Sequence, residues 1–296
     1  MSVALAPAPA PAPAEAADAT WWEPPQGELV RRALARRLNV LLVGPTGCGK
    51  TTLLERALAE LDGAPPAALN LHGDLSVDEL FGARELRGGE TVFRPGPALQ
   101  AMLDRAPLVL HELDAATPEV LFCLQRVLER KDVVVPAVAG PDGRPLRLDP
   151  WRGRDGAASR FVVAATANTL GRGDGGGLYR GTRVLNEAFL DRFDLVVRLD
   201  YPPPRAEAAL LVARAGVDAD DAAAIVRVAG LARRAAAAER LLATTFSVRK
   251  ALAWATARAH LGLDLGAAFV ATCLDRAPDE DRVVLAELYQ RATGRR

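Results

Sequence analysis

The sequence has few cysteines, no net charge and no long apolar runs, and each shortage removes a class of protein. Only three cysteines occur, Cys48, Cys123 and Cys273, an odd number spread far apart. They suit free thiols in a reducing compartment rather than a disulfide framework, and a cytoplasmic location is expected. Lys plus Arg and Asp plus Glu both total 37, so no overall basic field exists to hold nucleic acid or an anionic membrane by charge. Nucleic acid is therefore not an expected partner. No uninterrupted apolar run approaches the roughly 18–20 residues needed to cross a bilayer, and no membrane span is expected. The three histidines, His72, His111 and His260, are scattered, and the cysteines lack the spacing of metal ligands. The N-terminus alternates Ala and Pro from Ala6 to Ala14, without the basic start and apolar stretch of a signal peptide. Residues 1–20 read as a stiff, disordered, polyproline-like tail.

What is present is an alternation of strands and helices. Glu28 to Arg37 has helical spacing, Asn39 to Val43 is a short β-branched run ending in a Gly-Pro turn, and Lys50 to Leu61 has helical composition. The pattern repeats with strands at Ala67 to Leu71, Leu108 to His111, Phe161 to Ala165 and Leu195 to Leu199. Helices are expected between them at Ser76 to Phe81, Pro97 to Arg105 and Pro118 to Arg130. Such alternation implies an α/β fold, a parallel sheet covered on both faces in three layers. From Arg205 onward only helical segments follow: Arg205 to Ala215, Asp220 to Ala238, Ser247 to Leu261, Leu265 to Asp275 and Glu280 to Thr293. Pro202, Pro203 and Pro204 end the last strand, so residues 21–201 are expected as the core and 202–296 as a small all-α lid. Two excursions interrupt the core, Glu85 to Pro95 and Val133 to Asp149; the Gly140-Pro141-Asp142-Gly143 turn suggests a hairpin in the second. Trp21 and Trp22 are expected to pack on the core.

Gly44-Pro45-Thr46-Gly47-Cys48-Gly49-Lys50-Thr51 satisfies the phosphate-loop pattern between an expected strand and helix. Glycines let consecutive N–H groups and the helix N-terminus face phosphates. Lys50 is expected to reach the β and γ phosphates and Thr51 to ligate Mg²⁺, with Thr52 closing the ATP-binding stretch. Such a loop needs an acidic strand end beside it. Leu108-Val109-Leu110-His111-Glu112 supplies Glu112 to orient water, but His111 stands where Asp is usual. An imidazole brings no negative charge to Mg²⁺ and accepts from its water shell only when neutral. Asp114 either compensates or caps the helix near Pro118. Asn168, after another strand, is a candidate for the γ-phosphate or the lytic water, with turn capping as the alternative. Arg192, ending a helix before a strand, is a candidate arginine finger in trans, and Arg249 a candidate to reach the nucleotide in cis. Cys48 sits inside the loop, and alkylation there would block binding if the helix N-terminus lowered its pKa; the alternative is an inert loop residue. The Gly171 to Gly177 run lacks a following Lys and helix and reads as a flexible loop.

The spacing of these parts resembles the MoxR-type AAA+ ATPases and, within them, the CobS-like cobaltochelatase small-subunit group. The likeness runs from about Val40 to Tyr201. Its most specific stretches are Gln125 to Glu129 and Ala165 to Thr182, together with Leu69 to Leu75, Glu112-Leu113-Asp114-Ala115 and Asp191-Arg192-Phe193. The resemblance implies Walker A residues Lys50 and Thr51, a Walker B glutamate at Glu112 and sensor 1 at Asn168. It implies the arginine finger at Arg192 and sensor 2 at Arg249. The excursions correspond to a helix-2 insert and a pre-sensor hairpin facing pore or client. A homo-oligomeric ring, a hexamer by family expectation, is implied, with a von Willebrand A domain or chelatase-type partner. Three functions stay open at this point: an ATP-driven remodelling or metal-insertion factor, an ATP-binding scaffold that hydrolyses poorly because of His111, and a monomeric P-loop kinase. The helical lid and Arg192 disfavour the kinase.

Overall fold

The computed structural model describes residues 21–61, 66–139, 142–153, 158–169, 182–237 and 241–294. The Ala/Pro tail, the Gly140-Pro141 step and the Gly171 to Gly177 run lie outside the described residues.

The strands are β1 (Val40–Val43), β2 (Ala67–Asn70), β3 (Gly82–Arg87), β4 (Glu90–Pro95), β5 (Leu108–His111), β6 (Val133–Ala139), β7 (Pro145–Leu148), β8 (Val163–Ala167) and β9 (Leu195–Arg198). The helices of the core are α1 (Gly27–Ala35), α2 (Lys50–Ala59), α3 (Val77–Phe81), α4 (Pro97–Asp104), α5 (Pro118–Leu128) and α6 (Glu187–Leu190). Those that follow are α7 (Pro204–Ala215), α8 (Ala219–Ala237), α9 (Val248–His260), α10 (Leu265–Phe269) and α11 (Asp279–Thr293).

Five strands form one sheet in the order β2-β5-β8-β1-β9, and every pairing is parallel. Strands buried on both faces need not alternate, and β1, β5 and β8 are buried at every position. Successive residues still point to opposite faces. Val40, Leu42, Val109 and Ala164 join α1 and α2 in one apolar cluster, while Leu41, Val43, Leu108, Leu110, Val163 and Ala165 join α3, α4 and α5 in another. This is the expected three-layer arrangement.

A third cluster draws on α7 to α11 around Trp254, which is fully buried and donates from Nε1 to the Leu265 carbonyl at 3.0 Å. The helices are well punctuated. Ser76 and Glu79 make a capping box at α3, and Thr117, Ser247 and Asp264 cap α5, α9 and α10.

Three expectations are corrected. The strand expected at Phe161 to Ala165 lies two residues later, because its pairing with β5 starts at Leu108–Val163; Phe161 is buried but precedes the ladder. The helix expected over Leu265 to Asp275 passes into a π-turn at Val270–Leu274, where Thr272 Oγ1 donates to the Ala268 carbonyl at 2.7 Å and competes for the ladder. The first excursion is an antiparallel hairpin, β3 with β4, that begins at Gly82 rather than Glu85 and turns at Gly88-Gly89, both at positive φ. The second excursion is the expected hairpin, β6 with β7.

Candidate functional site

Lys50, Thr51, Glu112 and Asn168 gather at the C-terminal edge of the parallel sheet, where open α/β sheets place ligands. Arg192 instead precedes β9 and lies at the opposite edge, its carbonyl accepting from Asn39 Nδ2 at 3.3 Å just before β1. Strand order decides who meets whom. β8 lies between β5 and β1, so Asn168 emerges between Glu112, which follows β5, and the phosphate loop, which follows β1.

The loop turns from β1 into α2 with Gly47 at φ +69° and Gly49 at φ +99°, the left-handed region that glycine enters without a Cβ penalty. Gly49 is the N-cap of α2 and offers no side-chain acceptor, and no acidic residue sits in the first turn. The first N–H groups of α2 are therefore left to an external anion. Lys50 is buried and its Nζ donates to the carbonyls of Gly44 at 2.7 Å and Pro45 at 3.0 Å and to Asn168 Oδ1 at 2.9 Å. Burial pushes the Lys50 ammonium below its ordinary value, Glu112 and Asp114 pull it back up, and Arg249 adds to the lowering. Thr51 is exposed on the first turn of α2 and Thr52 is half-buried.

From the other amide atom, Asn168 Nδ2 donates to Glu112 Oε2 at 2.5 Å. Lys50, Asn168 and Glu112 thus form one continuous hydrogen-bonded line. Glu112 is held at φ +57°, a conformation uncommon outside glycine, and its N–H donates to Thr166 Oγ1 at 3.3 Å. The same hydroxyl lies 3.4 Å from His111 Nδ1. The hydroxyl donates to Nδ1 or accepts from it according to the imidazole tautomer. Burial holds the imidazole neutral by pushing it below the usual histidine value.

Asp114 neither reaches solvent nor caps α5. Thr117 is the cap, and Asp114, fully buried, accepts at Oδ2 from Asn168 N at 3.0 Å, Thr169 N at 2.8 Å and Thr169 Oγ1 at 2.8 Å. Cys48 is buried and burial pushes its thiol up rather than down, which removes the activated-thiol reading. Arg192 is engaged within its own chain: Nε and Nη2 meet Glu129 Oε1 at 2.8 and 2.6 Å, and Nη1 donates to the Ala188 carbonyl. Arg249 is exposed on the first turn of α9. Cα-side contacts bring α9 to the loop, since a Cβ on Gly47 would lie 2.7 Å from Ser247 Cβ.

Sequence reasoning missed Tyr201. Its hydroxyl donates to the Thr46 carbonyl at 3.1 Å and lies 3.1 Å from Thr245 Oγ1, joining the phosphate loop to the segment that leads into α9. The Arg233 guanidinium covers its ring at 3.8 Å. The available signal was an aromatic with a polar tip directly after a strand that ends at the loop. Trp21 packs as expected: it joins the α1–α2 cluster, and a Cβ on Gly49 would lie 2.4 Å from its ring.

Among the described residues no group of three or more His, Cys, Asp and Glu side chains is arranged to hold a metal. A cation here depends on phosphate oxygens as co-ligands, and the Thr51 hydroxyl and Glu112 carboxylate are hard oxygen donors that suit Mg²⁺. No helix among the described residues is long and apolar enough to cross a membrane.

Comparison with known proteins agrees with this geometry. A profile of the AAA domain (dynein-related subfamily) matches residues 39–193. The aerobic cobaltochelatase subunit CobS of a Sinorhizobium species is 36% identical over 270 residues, 88% of this chain and 76% of its own. Protein NorQ of Paracoccus denitrificans is 31% identical over 220 residues, 74% of each chain. A solved structure from Cytophaga hutchinsonii is 18% identical and covers 90% of this chain and 80% of its own, with a TM-score of 0.45. The chain belongs to the dynein-related AAA domain family and, within it, is a MoxR-type, CobS-like AAA+ ATPase.

Proposed function

We propose that this protein binds Mg-ATP at the phosphate loop and hydrolyses it within a ring of its own copies, using the cycle to remodel or activate a partner protein. The observation that carries this reading is the line Lys50–Asn168–Glu112 across adjacent strand ends. Residues 44–52 hold the triphosphate, with the open N-terminus of α2 and Lys50 facing its oxygens. Thr51, and through water Glu112, would hold Mg²⁺, which when bound would supply charge neutralisation at the phosphates. Glu112 orients the attacking water, and Asn168 holds the Glu112 carboxylate on one side and the Lys50 ammonium on the other. Arg249 meets the nucleotide in cis. Arg192 acts across a subunit boundary, which requires its exchange from Glu129 to a neighbour's γ-phosphate.

We assign residues 21–201 to the ATPase core and 202–296 to the helical lid, since buried residues from Leu210 onward form their own cluster. The family likeness supports a hexamer, and the free thiols support a cytoplasmic location. The name of the CobS relative, a cobaltochelatase subunit, supports metal insertion as the narrow version, and the von Willebrand A domain partner is carried over from the family resemblance alone.

A second reading, an ATP-gated scaffold with little turnover, is favoured by one observation. His111 is buried and neutral where an acidic residue is usual, so it offers a metal-bound water no negative charge.

Mg-ATP hydrolysis measured against protein concentration for the parent, Lys50→Ala, Glu112→Gln and His111→Asp tests both. Turnover that rises with concentration and is abolished by the Lys50 and Glu112 changes supports the ring motor. A parent that binds ATP without turnover, awakened by His111→Asp, supports the scaffold; a parent that fails to bind ATP refutes both.

A further inference from the structure

We propose that Asp114 is a positioning residue of the hydrolytic site, fixing Asn168 between Lys50 and Glu112 through its three hydrogen bonds to residues 168 and 169; this rests on the ATP-hydrolysing reading above. β8 ends at Ala167, and beyond it the backbone leaves the sheet, so the N–H groups of Asn168 and Thr169 have no ladder partner. Asp114 supplies one. It comes from the 3-10 turn Leu113–Ala115, which the left-handed Glu112 starts immediately after β5. One oxygen, Oδ2, takes Asn168 N, Thr169 N and Thr169 Oγ1 at 3.0, 2.8 and 2.8 Å. The Asp114 carbonyl also accepts from Arg183 N at 2.7 Å.

Among the described residues the carboxylate makes no other hydrogen bond. Its second oxygen, Oδ1, is sealed from solvent and has no partner among the described residues, so it is closed to a hydrated cation. An unpaired buried acceptor is costly, on the order of 1–3 kcal/mol, and is retained where geometry needs the other half of the group. The need is visible one residue away. The Asn168 amide spans Lys50 Nζ at 2.9 Å and Glu112 Oε2 at 2.5 Å, and both contacts depend on where the Asn168 backbone sits. Asp114 makes no hydrogen bond to Lys50 or Glu112 itself, so apart from its through-space charge on Lys50 its influence on their geometry runs through Asn168.

The test compares Asp114→Ala, Asp114→Asn and Thr169→Val in the full chain. Turnover and KM are measured at saturating protein concentration, ATP Kd by titration of a fluorescent ATP analogue, and amide hydrogen exchange over residues 163–169. Asp114→Ala is expected to lower kcat on the order of a hundredfold, as a misplacement near 1 Å does, while Kd changes less than about threefold. Asp114→Asn recovers most of that loss: its carboxamide oxygen accepts the same three bonds, and its NH₂ lies where the unpartnered oxygen was. Thr169→Val, which removes one bond of the three, falls between. An unchanged kcat in Asp114→Ala overturns the proposal, as does a loss that appears equally in Kd, or an Asp114→Asn as impaired as Asp114→Ala, which makes charge the working part. If the parent shows no more turnover than Lys50→Ala, the hydrolytic reading fails instead. Anchoring is then judged by exchange at Asn168 and Thr169, which must accelerate in Asp114→Ala and not in Asp114→Asn.

Discussion

Replacing Arg233 with Met should loosen the helical lid far more than replacing Glu207 with Gln, although the two residues are partners in one ion pair. The pair links α7 to α8 with two 2.7 Å bonds, and Arg233 Nε also donates to the Phe246 carbonyl at 2.7 Å. Burial is unequal: the Glu207 side chain is 1% exposed and that of Arg233 14%. Arg233→Met strands a carboxylate in an apolar setting, the situation that costs about 3–5 kcal/mol, and it also removes a cation–π contact with Tyr201 worth roughly 0.5–2 kcal/mol. Glu207→Gln leaves a neutral amide that still accepts one guanidinium bond, while Arg233 keeps the Phe246 carbonyl and the Tyr201 ring, so roughly 1–3 kcal/mol is expected. Native-state hydrogen exchange at the buried amides of Val228 and Ala229 reads the opening of α8. With about 1.4 kcal/mol per decade, the stranded carboxylate alone should accelerate exchange about 100- to 5000-fold in Arg233→Met, with the lost cation–π contact adding to it, and Glu207→Gln should reach no more than about 100-fold. The double variant should fall short of the sum. Equal effects of the two single changes, or less than about tenfold for Arg233→Met, would refute the unequal-burial argument.

Gly47→Ala combines a φ of +69° with a Cβ 2.7 Å from Ser247 Cβ, whereas Gly216 has the same φ with open space around it. Gly216→Ala should therefore cost about 1 kcal/mol in thermal or urea unfolding, and Gly47→Ala should cost more and also weaken ATP analogue binding; equal stabilities would disprove the steric part. Cys48 should resist iodoacetamide at pH 7 while half-buried Cys123 reacts first, as peptide mass spectrometry would show, because burial raises both thiols and Cys123 is the less covered. For His111, whose folded value lies below the ordinary 6.5, the unfolded chain binds the proton first. Its contribution to stability is full above pH 6.5 and is lost as pH falls through 6.5 toward the lowered folded value. The difference in urea midpoint between the parent and His111→Asn should shrink or reverse over that window, and a pH-independent difference would count against a neutral buried imidazole.

The phosphate loop, Glu112 and Asn168 were legible in the sequence because each directly follows an apolar run short enough to be a strand, and parallel strands deliver such residues to one edge. Their meeting was not. It depends on β8 lying between β5 and β1, an order that no local pattern encodes. Asp114 was misread for the same reason: its donors are 54 and 55 residues away, while the helix it seemed placed to cap is adjacent in sequence and capped by Thr117. Tyr201 meets Thr46 across 155 residues. The π-turn at Val270–Leu274 went unseen because Thr272 is compatible with a helix by composition and departs from it only through its hydroxyl. The described hairpins were visible as breaks in the strand–helix alternation, their Gly-rich turns being the local signal.

Tyr201 makes the loop and the lid parts of one equilibrium. Its hydroxyl touches the backbone that wraps the phosphates and the threonine at the threshold of α9, while Arg233 grips its ring from within the lid. Linkage then works in both directions with equal free energy. Whatever ATP gains by shaping the loop appears as a preferred tilt of the lid. In the proposed ring, a neighbour that leaned on the lid would alter the grip on ATP by the same amount, so binding in one subunit and strain in the next would be two readings of a single variable.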